Sequence, residues 1–245
     1  MTIKNKKWIL KERPMGLVKD SDFELISEEL PKINEGEILI ENIYLSFDPT
    51  QRSWLNDVPG YLPPVQIGEV VRSGGIGRII DSKNPDYKNG DLTFGLVGWQ
   101  THCLTKPNAE DRFRVVPDIL PMPTMLNVMG STGITAYYGL VELGKPKSGE
   151  TVLVSGAAGA TGSVAVQIAK LKGCHVIGIA GGEEKCNWLK DIGADDVIDY
   201  KNTDVHIELP KLAKNGIDIY FDNIGGEILE TVLELININA RILLC

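Results

Sequence analysis

A glycine-rich turn follows an apolar run at residues 152–154 of this chain. Its glycines, Gly156, Gly159 and Gly162, are spaced three residues apart, and only alanine and threonine stand between them, so no bulky side chain covers the backbone. Exposed N–H groups and a helix N-terminus are what a phosphate group requires. A helical pattern and a second apolar run at 174–179 complete one βαβ unit. The spacing therefore predicts a phosphate-binding turn.

The turn departs from the strict G-x-G-x-x-G pattern of dinucleotide-binding units, because Ala158 stands where a middle glycine is expected. We interpret it as a relaxed dinucleotide-binding turn in which alanine is small enough for close approach. The alternative is a tight strand-to-helix turn of an α/β protein that binds no ligand. The strand before the turn and the helix after it favour the first interpretation.

The end of the second strand indicates which dinucleotide would bind. A unit that binds NAD carries an acidic residue there, which holds the 2′-hydroxyl of the ribose. This chain instead has Gly181 and Gly182, followed by Glu183, Glu184 and Lys185. Glycines leave room for a 2′-phosphate and a lysine can neutralise it, so the pattern favours NADP(H). We interpret the two glutamates as part of the solvated first turn of a helix. For the lysine, that interpretation is the alternative to a contact with the 2′-phosphate.

Composition limits the functional classes. The 245 residues are 43% hydrophobic, enough for a sizeable core in one or two domains, and the net charge of −8 disfavours nucleic acid and anionic membranes as partners. The four cysteines form no C-x-x-C pair, so neither a zinc site nor a disulfide framework is expected, and a reducing, cytoplasmic location is favoured. No run of 18 apolar residues occurs, so neither a signal peptide nor a membrane helix is expected.

The chain divides into two regions with different patterns. Residues 1–122 contain many short strands with glycine turns, which predicts a compact β-barrel-like domain in which 67–80 forms two strands around Gly74 and Gly75. Residues 123–245 begin with a helical pattern at 124–143 and then alternate strands and helices, which predicts a doubly wound parallel sheet.

Five segments together resemble the medium-chain dehydrogenase/reductase superfamily. The resemblance is closest to its zinc-independent, NADPH-dependent alkenal reductase branch, which includes the prostaglandin reductases, and it covers essentially the whole chain. The segments are LSFDPTQR at 45–52, GSTGITAYYGL at 130–140, GETVLVSGAAGATGSVAVQIAKLKGC at 149–174, GGEEK at 181–185 and YFDNIGG at 220–226. Their combination is much more specific than the glycine turn alone.

The resemblance implies an α/β protein with a GroES-like catalytic β-barrel domain at 1–122 and an NADP-binding Rossmann domain at 123–245, incomplete at its C-terminal edge. By position, it assigns the pyrophosphate to Gly159, Ala160, Thr161 and Gly162, the 2′-phosphate to Lys185 and Tyr200, and the nicotinamide half of the cofactor to Asn223 and Thr135. The family transfers hydride from NADPH to the β-carbon of an α,β-unsaturated ketone or aldehyde, and the enolate then takes a proton. It needs no metal for this reaction, and a homodimer is an expectation for the full-length form.

The chain departs from the family pattern at three places. Thr50 stands where the family commonly has a tyrosine, and it is the only residue here assigned to the substrate. Residues 100–102 replace a glutamate and tyrosine of the family; among them His102, at an alternating strand position, is interpreted as structural. The family's substrate-facing tyrosine would lie beyond Cys245, so no catalytic residue is assigned and a C-terminally truncated protein is expected.

Three functional interpretations stay open at this point. The first is a reductase of enones and enals, of which this chain is a shortened version. The second is a quinone reductase of the same superfamily, which shares the glycine turn. The third is an NADPH-binding module without turnover, in which an unpaired strand at the cut edge of the sheet would favour association with a partner or aggregation.

Overall fold

The computed structural model describes residues 3–108, 111, 113–118 and 121–245. The chain forms two compact units, Met1–Leu126 and Asn127–Cys245. The sequence-based boundary between 122 and 123 falls at the start of a short 3-10 segment, Met122–Leu126, that closes the first unit. None of the helices in the described ranges has the length and apolar character to cross a membrane.

The first unit is built from antiparallel strands. The strands are β1 Lys4–Leu10, β2 Phe23–Glu29, β3 Ile38–Leu45, β4 Gly74–Ser82, β5 Leu92–Leu96, β6 His102–Thr105 and β7 Arg114–Val115, with α1 at Thr50–Trp54 and a 3-10 turn at Asp20–Asp22. Five of these strands form one sheet in the order β6-β3-β4-β5-β7, while β1 and β2 pair with each other. Two isolated bridges, Lys7 to Gln100 and Ile9 to Val70, join the β1–β2 pair to other segments.

Apolar residues of β3 and β4 build a core cluster of the first unit. Ile38 and Ile40 of β3 and Ile79 of β4 are buried and pack with Val97 and Cys103. Leu39 between the two isoleucines is also buried, so the first part of β3 is covered on both faces, whereas its second half is largely exposed. The β-rich character predicted for this region is thereby confirmed.

The prediction of two strands around Gly74 and Gly75 is wrong, because both glycines lie inside the single strand β4. A Cβ atom on Gly75 would lie 2.7 Å from the carbonyl oxygen of Tyr44 and 2.4 Å from a methyl carbon of Val97. The glycine is therefore required by the close approach of neighbouring segments and not by a turn.

The second unit is a parallel sheet with helices on both faces. Its strands have the order β10-β9-β8-β11-β12 and all pairs are parallel. The bounds are α2 Ser131–Tyr137, a π-helical segment Tyr138–Gly144, β8 Thr151–Val154, α3 Ala160–Leu171, β9 His175–Ala180, α4 Glu183–Asp191, β10 Asp196–Asp199, α5 Val205–Leu212, β11 Ile217–Asp222, α6 Gly226–Leu233 and β12 Ile236–Leu244. The chain moves from β8 outward through β9 to β10, then returns to β11 on the other side of β8, which creates a switch point between β8 and β11.

Both faces of this sheet are buried, as a doubly wound sheet requires. On one face Val152 and Val154 pack with residues of α3 and α4, such as Val166 and Leu189. On the other face the intervening Leu153 packs in a cluster with residues of α5 and α6. The α/β class and the parallel doubly wound sheet predicted from the sequence are confirmed.

The helical pattern predicted at 124–143 does not form one continuous helix. The chain instead makes the 3-10 segment, then α2 and the π-helical segment. The backbone comes very close to itself at the interruption, since a Cβ atom on Gly133 would lie 2.0 Å from the carbonyl oxygen of Val128, and only glycine permits this approach. The backbone folds back on itself at this point, and a straight helix through residues 127–133 cannot do so.

An ion pair fixes the last strand to the start of the sheet. The Arg241 guanidinium on β12 donates to both carboxylate oxygens of Glu150, at 3.0 and 2.6 Å, and to the carbonyl oxygen of Gly144 at 2.9 Å. Both side chains are mostly buried, and the hydrogen bond from Arg241 holds the pKa of Glu150 below its usual value. Such two-point pairs are stronger than single ones.

We predict that Arg241→Gln lowers the free energy of unfolding at pH 7 by about 2 kcal/mol, because charge-assisted hydrogen bonds are lost. A carboxylate with a lowered folded-state pKa contributes stability above its unfolded pKa, and this is lost as pH falls through the folded value. Urea unfolding between pH 7 and pH 3 should therefore show a shallower loss of stability below about pH 4.3 in the variant than in the wild type.

Arg78→Gln provides the control for the ion pair, because Arg78 hydrogen bonds to the Gly90 carbonyl oxygen but faces Asp118 at 3.8 Å on the surface, and so weak a pair should leave the acid limb unchanged. Identical acid limbs for the wild type and the Arg241 variant would contradict the role given to the Arg241–Glu150 pair.

Candidate nucleotide-binding site

The candidate site lies at the carboxyl ends of the strands in the second unit. Helices α3, α4, α5 and α6 are the next elements after β8, β9, β10 and β11, respectively. In open parallel sheets, ligands bind outside this edge at the switch point, here between β8 and β11. The glycine turn of residues 155–159 connects β8 to α3 at this point.

The glycines of the turn have different physical roles. Gly156 has a φ of +56°, a backbone conformation that residues other than glycine rarely adopt. Gly162 has a second reason: a Cβ atom there would lie 2.4 Å from the carbonyl oxygen of Gly156 and 2.8 Å from the Cα of Ala157. Its absence lets the first turn of α3 lie directly on the backbone of the preceding turn. Gly159 is less constrained, because its Cβ would lie 3.1 Å from the same oxygen.

The N-terminus of α3 has no capping side chain. The helix begins at Ala160 after Gly159, and the first N–H groups of a helix have no acceptor within it. Elsewhere at this edge carboxylates accept from backbone N–H groups at or just before a helix: Asp204 caps α5, Asp222 accepts from the two residues before α6, and Asp199 from the residue before α4. Among the described helices that follow strands of this parallel sheet, α3 alone has no acidic residue in its first turn, so its N-terminus suits an anion.

The second glycine pair shapes the turn between β9 and α4. A Cβ atom on Gly181 would lie 2.7 to 2.9 Å from ring atoms and the hydroxyl of Tyr200, so the tyrosine ring lies against the bare glycine and stays about half exposed. Gly182 has a φ of +97°, and its N–H donates to Asp199 Oδ1 at 2.8 Å. This hydrogen bond is the first cause of the lowered pKa of Asp199. Asp199 at the end of β10 thus fixes the position of this turn through the hydrogen bond from Gly182.

Lys185 lies exposed in the first turn of α4. Its ammonium group makes no hydrogen bond or ion pair with any residue that the structure describes, although Glu183 and Glu184 precede it. The helix that carries it begins directly after Gly182, and Tyr200 lies against Gly181. The structure therefore brings Lys185 and Tyr200 to the same short turn.

Asn223 lies beside the glycine turn. Its Nδ2 donates to the carbonyl oxygen of Ser155 at 2.7 Å, and its backbone N–H donates to Ser155 Oγ at 3.0 Å. A Cβ atom on Gly156 would lie 3.3 Å from the Cβ of Asn223. Asn223, which the sequence assigned to the nicotinamide half, thus lies beside the first residues of the glycine turn at the switch point.

Thr135 and Thr50 are placed differently. Thr135 is exposed on α2, which packs against α3, and its hydroxyl makes no hydrogen bond with another described residue. Thr50 is the exposed first residue of α1 in the other unit. His102 lies on β6 opposite Glu41, with its Nδ1 3.1 Å from Thr101 Oγ1. That position agrees with a structural role for His102.

Sequence reasoning missed the residues that support the site. Asp222 is 3% exposed, and its Oδ1 accepts from Tyr220 Oη, Ser155 Oγ and the N–H groups of Ile224 and Gly225 at 2.7 to 3.1 Å. Burial acts to raise the pKa of Asp222, but the hydrogen bonds from Gly225 and Ile224 outweigh it and the pKa is lowered. The available signal was an aspartate that ends the apolar strand IDIYFD.

No metal-binding cluster of three or more histidine, cysteine, aspartate or glutamate side chains occurs in the part of the chain that the structure describes. Cys103, Cys174 and Cys186 are buried and free, and Cys245 is exposed and free. Burial raises the pKa of the Cys103 thiol to about 12, which leaves it protonated and a poor zinc ligand at neutral pH.

Two family matches define the class of the protein. Residues 6–113 match the family of N-terminal domains of oxidoreductases, and residues 160–245 match the family described as zinc-binding dehydrogenase. Together they identify the chain as an oxidoreductase with the two-unit organisation seen in the structure.

Relatives narrow this class. The chain is 39% identical over 243 residues to the NADPH-dependent curcumin reductase of Escherichia coli, covering 99% of this chain and 70% of the relative. It is 40% identical over 245 residues to prostaglandin reductase 1 of Oryctolagus cuniculus, covering 99% and 68%, and 36% identical over 249 residues to the NADP(+)-dependent 2-alkenal reductase of Nicotiana tabacum, covering 99% and 72%. The chain belongs to the medium-chain dehydrogenase/reductase superfamily, and within it to the alkenal reductase branch.

Solved structures agree with this placement. CurA from Vibrio vulnificus in complex with NADPH matches with a TM-score of 0.89 and 40% identity, over 97% of this chain and 70% of that one. An NADPH complex of the quinone oxidoreductase of Escherichia coli, at 20% identity and a TM-score of 0.72, covers 97% of this chain and 72% of that one and shows the shared fold alone.

We predict that Gly162→Ala destabilises the protein by about 2 kcal/mol, because a methyl group cannot enter the 2.4 Å gap to the Gly156 carbonyl without moving the backbone. Gly159→Ala is the matched control, since its wider gap of 3.1 Å lets a small shift absorb the methyl group. Urea unfolding measures both. Equal losses in the two variants would contradict the distinction between the two glycines.

Proposed function

We propose that this protein binds NADPH and reduces the carbon–carbon double bond of α,β-unsaturated ketones and aldehydes without a catalytic zinc ion. The observation that carries the proposal is the open N-terminus of α3 behind the glycine turn, in a chain 39% identical to a curcumin reductase described as NADPH-dependent. A bare turn that a single added methyl group would obstruct suits close approach of a pyrophosphate.

The residues have separate roles in this proposal. The N–H groups of Gly159, Ala160, Thr161 and Gly162 would hold the pyrophosphate. Lys185 would neutralise the 2′-phosphate, with the hydroxyl of Tyr200 as a further hydrogen-bond donor. Asn223 and Thr135 would contact the nicotinamide half, and Thr50 the substrate.

When bound, the cofactor supplies a hydride to the β-carbon of the substrate. The protein then has to stabilise negative charge on the enolate oxygen with a hydrogen-bond donor, and no residue of this chain is assigned to that task. Three buried free cysteines agree with the proposed reducing, cytoplasmic compartment. Assembly as a homodimer stays a prediction.

We predict that Lys185→Ala weakens NADPH binding about tenfold and leaves NADH binding unchanged, because only NADPH carries the 2′-phosphate that the ammonium neutralises. Titration calorimetry with both cofactors measures this. Lys190→Ala on the last turn of the same helix is the charge-matched control and should change neither affinity appreciably. Equal losses for NADPH and NADH would remove the assignment of the 2′-phosphate to Lys185.

We predict that the near-ultraviolet absorbance of NADPH falls when the protein and a hydroxyalkenal are added. A quinone is tested in parallel, since quinone reduction is the alternative within the superfamily. Turnover of the quinone alone would favour that alternative. Thermal stabilisation by NADPH without turnover of either compound would overturn the reductase proposal in favour of a binding module.

A further inference from the structure

Ser155 is the first residue after β8 and is fully buried. Its N–H donates to the carbonyl oxygen of Phe221 at 3.1 Å, and its Oγ donates to Asp222 Oδ1 at 3.1 Å. The same Oγ accepts from the N–H of Asn223 at 3.0 Å, and the carbonyl oxygen of Ser155 accepts from Asn223 Nδ2 at 2.7 Å. Every polar group of this serine is thus directed at three consecutive residues across the switch point.

These hydrogen bonds fix the orientation of the Asn223 amide. Because Nδ2 faces the carbonyl oxygen of Ser155, Oδ1 is turned away from it, and Oδ1 makes no hydrogen bond with another described residue. The oriented amide therefore presents an acceptor that can receive a hydroxyl or amide N–H donor. Loss of the serine hydroxyl would leave the Asn223 N–H without its acceptor and free the backbone to shift.

Asp222 extends the same network to the following turn. Its Oδ1 holds the N–H groups of Ile224 and Gly225, and its buried Oδ2 has no partner among the described residues. Four donors on one oxygen keep the carboxylate ionised in a buried place. Through it, the hydroxyl of Ser155 is linked to the backbone that leads into α6.

We propose that Ser155 is a positioning residue: it holds Asn223 and the 223–226 turn in register with the N-terminus of α3, so that one molecule of NADPH can contact both. This rests on the proposed function. Ser155 itself touches no ligand in this proposal, because it is fully buried beneath the turn. Its effect should therefore fall on the nicotinamide half of the cofactor and spare the adenosine half.

The test compares Ser155→Ala with Tyr220→Phe. Tyr220 donates to the same Asp222 Oδ1 at 2.8 Å and is fully buried, and its hydroxyl also interacts with that of Ser155, but it makes no hydrogen bond to Asn223. Both variants remove one hydroxyl from the same carboxylate, so both should lower the melting temperature. Calorimetry then measures the affinity for NADPH and for adenosine 2′,5′-diphosphate, which lacks the nicotinamide half.

We expect Ser155→Ala to weaken NADPH binding roughly tenfold and the adenosine diphosphate less than twofold, since one buried hydrogen bond at the nicotinamide side is lost. Tyr220→Phe should leave both affinities within about twofold. Equal weakening of both ligands by Ser155→Ala, or a lowered melting temperature with NADPH affinity unchanged, would overturn the positioning role.

Ser155→Cys keeps a weak donor and acceptor at the same place if the alanine variant does not fold. We expect it to weaken NADPH several-fold relative to the adenosine diphosphate, and an unchanged ratio would overturn the proposal. Wild-type protein that fails to bind NADPH would overturn the proposed function first, and the role of Ser155 with it.

Discussion

The site depends on how closely the backbone of α3 approaches the turn that precedes it. A methyl group at Gly162 would lie 2.4 Å from the carbonyl oxygen of Gly156, so the helix can rest on the turn only because no side chain separates them. This contact aims the first N–H groups of α3 out of the sheet edge. The parallel sheet supplies the location, and the two bare segments of backbone supply the anion site.

The carboxyl edge of the parallel sheet offers a positive charge and N–H donors that pair with no described residue, although the whole chain is acidic. The chain has a net charge of −8, and three aspartates lie near the starts of helices that follow the sheet strands. Each of these carboxylates accepts hydrogen bonds from nearby backbone N–H groups, so its negative charge is paired with donors of the protein; they are Asp199, Asp204 and Asp222. The start of α3 and the ammonium of Lys185 have no such partner among the described residues. An anionic cofactor can therefore be held by an acidic protein, because the donors left unpaired lie where its phosphates would bind.

Periodicity predicted the fold class well and local detail less well. The strand–turn–helix pattern at 151–171 is a property of the sequence alone and is confirmed, and β3 forms as a strand, although its buried residues are consecutive and do not alternate. The strand order was accessible only as a consequence of the fold class, since β8 and β11 are separated by five intervening elements yet lie side by side. The segment 124–143 failed because its helical pattern carries no record of the backbone contact between Gly133 and Val128.

Glycine shows why the site could be predicted only in part. At Gly182 the residue is needed for a positive φ, whereas at Gly75 and Gly162 it is needed because another backbone lies too close for a Cβ atom. The sequence letter is the same in each case, so a pattern can mark the position without giving the reason. Ser155 is the converse case: a small polar residue next to the glycines carries no pattern of its own, and its role follows only from the strand that the fold places beside it. Glycines that leave backbone bare can thus be located from spacing, while the residues that orient the turn require the structure.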